Sequence, residues 1–294
     1  MIKILIPATS ANLGPGFDCL GIALEMYNEF TFEKSSSWEF INFDEKYSYF
    51  ENNLIAQAIV RTFEILKVKE LSFKIKMKSD IPDSRGLGSS ATCIIAGILA
   101  ADYYANSKLS ISRILDIALE FENHPDNITP ALVGGLVTAT KLEKGVFYKK
   151  YEINDDLKYT VIIPSFEIST EVSRKALPKE YKTADVVYNT SRVINLPHVL
   201  QNGDISILKE LTFDKMHEPY RLPLIEMASE IKNIAYENNA SCTLSGSGST
   251  LLVISKNLDV IDIIKKKIDS SWIVKTLKVD NIGARVIELW KMNI

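Results

Sequence analysis

A short glycine- and serine-rich stretch lies directly before one of the most apolar segments of the chain. Residues 86–90 (GLGSS) precede residues 91–101, in which almost every side chain is apolar. The N–H groups at a helix N-terminus lack partners within the helix, and the helix dipole makes this end positive. Glycine has no Cβ and lets the backbone approach an anion closely. The pattern therefore predicts either a phosphate-binding loop or a glycine turn whose serine caps a helix.

Two common nucleotide-binding motifs are excluded at this position. A Walker A loop requires a Gly-Lys pair, and none of the 13 glycines is followed by lysine. The dinucleotide-binding fingerprint requires a third glycine before the helix, where this chain has Ala91 and Thr92. A phosphate loop at this position must therefore be of another type.

Two further loops rich in glycine and serine accompany this stretch. They are residues 7–21 (PATSANLGPGFDCLG) and residues 243–253 (TLSGSGSTLLV), and each lies beside a predicted strand. A single loop of this kind is common in proteins. Three such loops, at the start, middle and end of the chain, predict that they meet in one site.

One carboxylate continues an apolar stripe. A helix is predicted over residues 110–122, with an apolar face that runs from Ile111 to Ala118 and continues to Glu122. Glu120 falls on the opposite, polar face and is expected in solvent. A buried carboxylate at a helix C-terminus must find a cation or take up a proton. Magnesium bound to ATP phosphates is a suitable cation, and a frayed helix end in water is the alternative.

Arginine is scarce in this chain, which has 27 lysines and 7 arginines. Arg174 follows a polar stretch, STEVSR, and Arg221 ends the sequence EPYR. Arginine binds a carboxylate through two parallel hydrogen bonds, which lysine does less well. Each arginine is therefore either a clamp for a carboxylate substrate or an ordinary surface residue.

The three loops together resemble the three motifs of the GHMP small-molecule kinases. The first loop, with HPDN at 124–127 and EPYR at 218–221, is similar to the homoserine kinases of that family. The resemblance extends from about residue 4 to residue 253. It departs at Ser249, where the family usually has proline, and at Thr92, where alanine is common.

The resemblance implies specific site residues. The nucleotide would lie on Pro82, Asp83, Ser84, Arg85, Gly86, Leu87, Gly88, Ser89, Ser90, Ala91 and Thr92, with Asn53 at the adenine. The substrate would contact Asn12, Asp18, His124, Asp126, Asn127, Thr170, Arg174 and Arg221. Magnesium would be held by Glu122 and Ser89, with Ser90 as the alternative to the serine. The catalytic group would be Asp126, Asn127, Glu122 and Ser89, with Asp126 either a general base or a residue that only orients the substrate.

The implied reaction is ATP-dependent phosphorylation of the side-chain hydroxyl of L-homoserine, which gives O-phospho-L-homoserine for threonine biosynthesis. Two alternatives remain open at this point. One is a GHMP kinase for another small alcohol, such as mevalonate or a sugar. The other is a non-catalytic ligand-binding protein with the same fold.

The elements that must position these residues predict an α+β fold with largely antiparallel sheets. Strands are predicted at 2–7 (ended by Pro7), 71–79, 135–141, 146–151, 158–163, 241–244 and 250–254, with two more near the C-terminus. Helices are predicted near 51–67, 88–106, 110–122, 184–202, 204–212, 221–238 and 257–269. The resemblance implies two domains: 1–153, a half like ribosomal protein S5 domain 2 that binds nucleotide, and 154–294, a ferredoxin-like half. The active site would lie in the cleft between them.

The bulk composition narrows the function classes. The net charge is −3 with no long block of like charges, which argues against nucleic acid or a membrane surface as partner. No apolar stretch reaches the ~18 residues that span a bilayer. The three cysteines are widely spaced, which favours free thiols in a reducing cytoplasm. The expected partners are small-molecule substrates, and the resemblance implies a homodimer.

Overall fold

The computed structural model describes residues 1–289, and these form two antiparallel-rich sheets with helices packed against them. The first sheet contains strands β1 (Ile2–Asn12), β2 (Gly16–Ser35), β3 (Glu39–Ile41), β4 (Ser72–Ser79), β5 (Leu136–Lys141), β6 (Val146–Tyr151) and β11 (Arg285–Glu288). The second sheet contains β7 (Lys158–Ile163), β8 (Ser241–Leu244), β9 (Leu251–Ser255) and β10 (Ile273–Leu277). Within residues 1–289, β3 with β4 is the only parallel pair of strands. The expected α+β class is confirmed.

The helices connect and cover the sheets. They are α1 (Leu54–Leu66), α2 (Ser89–Ala105), α3 (Ile111–Ala118), α4 (Pro125–Val133), α5 (Thr170–Lys175), α6 (Thr183–Val193), α7 (Leu196–Asn202), α8 (Ile205–Leu211), α9 (Glu218–Arg221), α10 (Ala228–Glu237) and α11 (Asp259–Lys265). No helix in residues 1–289 is both long and apolar enough to cross a membrane.

The core has three apolar clusters in layers. The first lies between the first sheet and helices α1 to α4, with Phe30 and Phe73 fully buried on the sheet. The second joins the two sheets, where Ile22 of β2 and Tyr159 of β7 belong to one cluster. The third fills the other face of the second sheet, beneath α10 and α11. The two halves are thus held together by a continuous apolar layer, and polar loops at its edge are fixed by it.

The prediction that β1 ends at Pro7 is wrong. The strand continues to Asn12 because the pairing with β2 shifts after Pro7, from Pro7–Tyr27 to Ala8–Leu24. The shift is a β-bulge, which is one of the few places where a strand tolerates proline. Because the strand continues, Asn12 at its end reaches the cleft that is described below.

Several predicted helices are shorter than expected or are divided, including the one predicted near 257–269, which is observed over Asp259–Lys265. The helix predicted over 110–122 ends at Ala118, the one over 184–202 divides into α6 and α7, and α10 begins at Ala228 rather than near residue 221. Beyond Ala118 the chain makes tighter turns, in which Glu120 N–H bonds to Ile117 O. Pro125 keeps this helix from running on into α4, because the residue before proline avoids the helical region and His124 is extended.

The boundary proposed at 153/154 falls in the connection between β6 of the first sheet and β7 of the second sheet. β6 ends at Tyr151 and β7 begins at Lys158. The chain nevertheless returns at its end, where β11 pairs antiparallel with β1.

Candidate active site

The three glycine-rich loops meet through backbone hydrogen bonds. Thr9 N–H donates to Leu87 O at 3.1 Å, which joins the first loop (7–21) to the second (82–90). Gly246 N–H of the third loop (243–253) donates to Ala11 O at 3.2 Å. The predicted convergence of the loops is therefore confirmed.

Two glycines make this close approach possible. A Cβ on Gly86 would lie 2.1 Å from Ser245 O, and one on Gly88 would lie 2.0 Å from Thr9 Oγ1. Both glycines have positive φ values, +73° and +72°, which other L residues rarely adopt. Ser245 Oγ also donates to Gly86 O at 2.6 Å. The second loop can approach the third loop at Gly86 and the first loop at Gly88 only because these positions lack a side chain.

Helix α2 begins at the second loop without a side-chain cap. Its N-cap residue is Gly88, and no side chain of the described residues caps the helix, so the serine N-cap alternative is wrong. Ser89 and Ser90 are the first two helical residues instead. Nine of the 17 residues of this helix are buried, all between Ala91 and Ala101, and Asn28 Nδ2 donates to Thr92 Oγ1 at 2.8 Å. A rigid helix thus presents its positive N-terminus to the space between the loops.

That space is a polar cleft of about 200 Å³. It brings together most of the residues predicted for the site, from both halves of the chain. They are Asn12, Asp18, Asp83, Ser84, Arg85, Gly86, Leu87, Gly88, Ser89, Ser90, Glu122, His124, Asp126, Asn127, Thr170, Arg174 and Arg221. Pro82, Ala91, Thr92 and Asn53 do not line this cleft.

A second cavity of about 280 Å³ adjoins the cleft, and both are lined by Tyr47, Asp83, Ser89 and Ser90. Its other lining residues include Phe43, Asn53, Met77, Ile81 and Cys93. Its size and largely apolar wall suit a flat heterocycle beside the phosphate loop.

Asn53 is buried and already well bonded. Its Oδ1 accepts from Ile55 N–H and Ala56 N–H and so caps α1, while its Nδ2 donates to Tyr47 O at 2.8 Å. Tyr47 Oη in turn donates to Asp83 Oδ2 at 2.9 Å. Asn53 therefore fixes the loop that carries Tyr47 against the second loop. The sequence gives no periodic signal for Tyr47, which reaches the site only through this loop.

Glu122 lies opposite the start of α2. Ser90 Oγ donates to Glu122 Oε2 at 3.4 Å, so the structure pairs Glu122 with Ser90 rather than with Ser89. Burial raises the pKa of Glu122, and Ser90 and Arg174 only partly oppose this effect. Although α3 has ended before it, Glu122 is thus a half-buried carboxylate with a raised pKa, and the burial that the apolar stripe predicts is only partial.

Asp126 and Asn127 follow Pro125 in the first turn of α4. Asp126 is 4% exposed, and its pKa is raised to about 8, first by burial and then by the charges of Asp18 and Glu122. Asn127 is held in place by Thr9, whose Oγ1 donates to Asn127 Oδ1 at 2.7 Å. Thr9 is a residue that the sequence reasoning missed, because its role depends on which strand lies beside α4.

Asp18 joins the two halves of the site. Its carboxylate accepts two hydrogen bonds from Arg174, at 2.9 and 3.2 Å, and lies 3.2 Å from His124 Nδ1. Its backbone N–H donates to Asn12 Oδ1, and Asn12 Nδ2 donates to Gly246 O at 3.0 Å. Burial lowers the pKa of His124, more than the nearby carboxylate of Asp18 raises it. Asp18 thus pairs mainly with Arg174.

Arg221 is buried at the far side of the cleft. Its Nε donates to Ser173 O and its Nη1 to Gly246 O, each at 3.3 Å. Burial, and then the charge of Arg174, lowers its pKa to about 10. Two guanidinium groups thus lie close enough to repel each other and share one cleft, an arrangement that an anion would stabilise.

Thr170 and Arg85 are held by neighbours from the second half of the chain. Thr170 Oγ1 lies 3.4 Å from Ser247 Oγ, and Ser247 with Gly246 lines the cleft without having been predicted. Arg85 donates to Pro164 O at 3.1 Å and ion-pairs with an exposed glutamate. Its guanidinium therefore fastens the phosphate loop to the segment after β7.

The donor set suits magnesium only in company with other ligands. Residues 1–289 contain no cluster of three or more His, Cys, Asp or Glu side chains that could hold a metal by themselves. One carboxylate, Glu122, and two serine hydroxyls are nevertheless grouped at the phosphate end of the cleft. Magnesium is usually bound by one or two carboxylates together with substrate phosphates. The oxygen ligands present fit that mode of binding.

The fold and the site are those of a two-domain small-molecule kinase, with an uncapped helix N-terminus beside a compact polar cleft. Comparison with family models agrees: the GHMP kinases N terminal domain matches residues 53–135, and the GHMP kinases C terminal model matches residues 198–274.

Similar proteins and solved structures identify a narrower group than the family models do. The chain is 42% identical to a homoserine kinase of Clostridium acetobutylicum, over 98% of this chain and 100% of that protein. A crystal structure of homoserine kinase from Cytophaga hutchinsonii matches with a TM-score of 0.85 and 27% identity, over 97% of both chains. A putative homoserine kinase from Listeria monocytogenes matches with a TM-score of 0.81 and 29% identity, over 98% of this chain and 100% of that one. The chain belongs to the homoserine kinases of the GHMP kinase family.

Proposed function

We propose that this protein transfers the γ-phosphoryl group of ATP to the side-chain hydroxyl of L-homoserine and forms O-phospho-L-homoserine. The observation that carries the proposal is that a single cleft is lined both by the uncapped N-terminus of α2 and by Arg174 with Arg221. Full-length similarity to homoserine kinases supports the same substrate. The product would serve threonine biosynthesis.

ATP would bind across the two adjoining cavities. Its phosphates would accept hydrogen bonds from the free N–H groups at the start of α2, where the helix dipole favours negative charge. Its adenine would enter the cavity beside Tyr47, while Asn53 would hold the wall of that cavity. Ser89 and Ser90 line both cavities, which suits residues that contact the phosphates between them.

Homoserine would bind as a zwitterion between Asp18 and the two arginines. Its carboxylate would accept from Arg174 and Arg221, and its ammonium group would donate to Asp18. Asp18 and Arg174 form an ion pair in the structure. When homoserine binds, Arg174 would exchange Asp18 for the substrate carboxylate, and Asp18 would exchange Arg174 for the substrate ammonium group. Every charge would therefore stay paired. Asn12, His124, Asn127 and Thr170 would complete the contacts.

Magnesium would be held by Glu122 with Ser90 or Ser89, in addition to the phosphates. Bound there, it would neutralise the negative charge of the phosphates during transfer. The hydrogen bond between Ser90 and Glu122 favours Ser90 as the serine contact.

Asp126 would accept the proton of the substrate hydroxyl. A general base works best when its pKa lies near the operating pH, and the pKa of Asp126 is about 8. If Asp126 only orients the substrate, Asp126→Asn should raise KM for homoserine and largely spare kcat. If it accepts the proton, kcat should fall by about 10²-fold or more.

The proposal also includes a homodimer, a cytoplasmic location and a domain boundary at 153/154. None of these changes the chemistry of the cleft.

A coupled assay of ADP release tests the substrate directly. Homoserine, threonine, mevalonate and galactose should be compared at equal ATP and magnesium concentrations. We expect kcat/KM to be at least 10-fold higher for homoserine than for either molecule without an amino group. Equal or faster turnover of mevalonate or galactose would refute the proposed substrate, while absence of ADP release with every alcohol would refute the kinase activity.

A further inference from the structure

One aromatic ring lies between the two arginines of the cleft. The guanidinium carbons of Arg174 and Arg221 lie 5.7 Å and 5.0 Å from the centroid of the Phe17 ring. Both distances are within the roughly 6 Å at which a cation is attracted to an aromatic ring. Phe17 belongs to the first glycine-rich loop, directly before Asp18.

His217 supports the same ring from within the protein. Its imidazole stacks on Phe17 with centroids 5.1 Å apart and an interplanar angle of 19°. The imidazole is fully buried, and its Nε2 lies 2.8 Å from Gly14 O. Because a carbonyl oxygen can only accept, we assign the proton to Nε2, which leaves the Nδ1 lone pair facing Arg221 Nη1 at 3.5 Å. His217 therefore connects the first loop, the ring and Arg221.

The contacts of Phe17 are not those of a core residue. It is only partly buried, and it is a member of none of the three apolar clusters found in residues 1–289. Its close neighbours are two cations and an imidazole. Two neighbouring guanidinium groups repel each other, and the electron-rich ring offsets that repulsion without accepting a hydrogen bond from either of them.

We propose that Phe17 is a positioning residue that holds Arg174 and Arg221 in the orientation that grips the substrate carboxylate. This inference rests on the proposed function, because it assigns the arginine pair to that carboxylate. It predicts that loss of the ring weakens recognition of the carboxylate while ATP binding and the stability of the fold are retained.

The test compares Phe17→Leu, Phe17→Tyr and a control, Phe147→Leu, which alters an exposed ring on β6. Two cation–π contacts of about 0.5–1 kcal/mol each correspond to a 5- to 30-fold change. We expect Phe17→Leu to raise KM for homoserine by that factor, with KM for ATP and the melting temperature near the wild-type values. Phe17→Tyr keeps the ring and should stay within about threefold of wild type.

A second substrate identifies the group that is recognised. 2-Amino-1,4-butanediol has the amino group and hydroxyl of homoserine and lacks its carboxylate. The wild type should prefer homoserine strongly, and Phe17→Leu should lose most of that preference in kcat/KM. A parallel rise in both KM values, or an unchanged preference, would overturn the role of Phe17.

Binding of homoserine, measured by calorimetry, separates this inference from the proposed function. A wild type that does not bind homoserine would refute the proposed function. A wild type that binds it, together with a Phe17→Leu variant that binds it equally well, would refute the positioning role alone.

Discussion

Asp126 should make the ligand-free protein less stable as the pH rises. Its pKa in the folded protein is about 8, against an ordinary value of 3.8, because it is buried beside Asp18 and Glu122. Between these two pH values the unfolded chain loses the proton and the folded chain keeps it. The folded state then binds more protons than the unfolded state, so the free energy of unfolding falls with rising pH and levels off above pH 8.

The magnitude follows from the same pKa values. At about 1.4 kcal/mol per pH unit, wild type should lose at most about 4 kcal/mol between pH 5 and pH 8 through this group. Asp126→Asn cannot ionise and should not show this loss. All other groups are present in both proteins, so the difference in unfolding free energy between variant and wild type reports the ionisation of Asp126 together with its coupling to Asp18 and Glu122.

The measurement is urea unfolding of both proteins at pH 5, 6, 7 and 8, because urea does not screen charges. The advantage of Asp126→Asn over wild type should grow by several kcal/mol across this range. Asp155→Asn, at an exposed position, is the matched control and should run parallel to wild type. If Asp126→Asn also runs parallel, Asp126 ionises normally and its role as a proton acceptor with a raised pKa is refuted.

Three further predictions concern the cleft. Gly88→Ala would place a Cβ 2.0 Å from Thr9 Oγ1 at a φ of +72° and so displace the loop before α2. KM for ATP should therefore rise at least 10-fold in steady-state kinetics. An unchanged KM for ATP would contradict phosphate binding by this loop. Arg174→Lys should raise KM for homoserine about 10-fold with KM for ATP unchanged, and equal effects on both would contradict the carboxylate clamp. Glu122→Gln should lower kcat by about 10²-fold and weaken the dependence of kcat on magnesium. The control Glu120→Gln removes only an exposed ion pair with Arg61 and should leave kcat within twofold of wild type. Similar effects of the two changes would contradict the assignment of Glu122 as a magnesium ligand.

The glycine-rich loops were the part of the site most accessible from the sequence. At Gly86 and Gly88 the loop approaches neighbouring segments too closely for a side chain. Such positions require glycine, and this requirement is visible in the sequence as a short stretch of glycine and serine. The apolar run behind them is equally local, so α2 was predicted within about a residue of its observed ends.

Features that depend on tertiary contacts were not predictable in this way. The end of α3 at Ala118 interrupts an apolar stripe that continues to Glu122, and the tighter turns that follow Ala118 leave no mark in the apolar pattern. Tyr47 and Thr9 reach the site through neighbours that are distant in sequence. The bulge after Pro7 likewise depends on pairing with β2, which a single strand pattern does not encode.

The central claim is that the γ-phosphoryl group of ATP is transferred to the side-chain hydroxyl of homoserine. The most direct measurement is phosphorus NMR of the reaction mixture with homoserine, ATP and magnesium. The account predicts a new phosphate monoester whose phosphorus couples to the protons of the side-chain CH₂ next to oxygen, in amounts equal to the ADP formed. Release of inorganic phosphate alone, or a phosphorus signal coupled to no CH₂ protons, would contradict it.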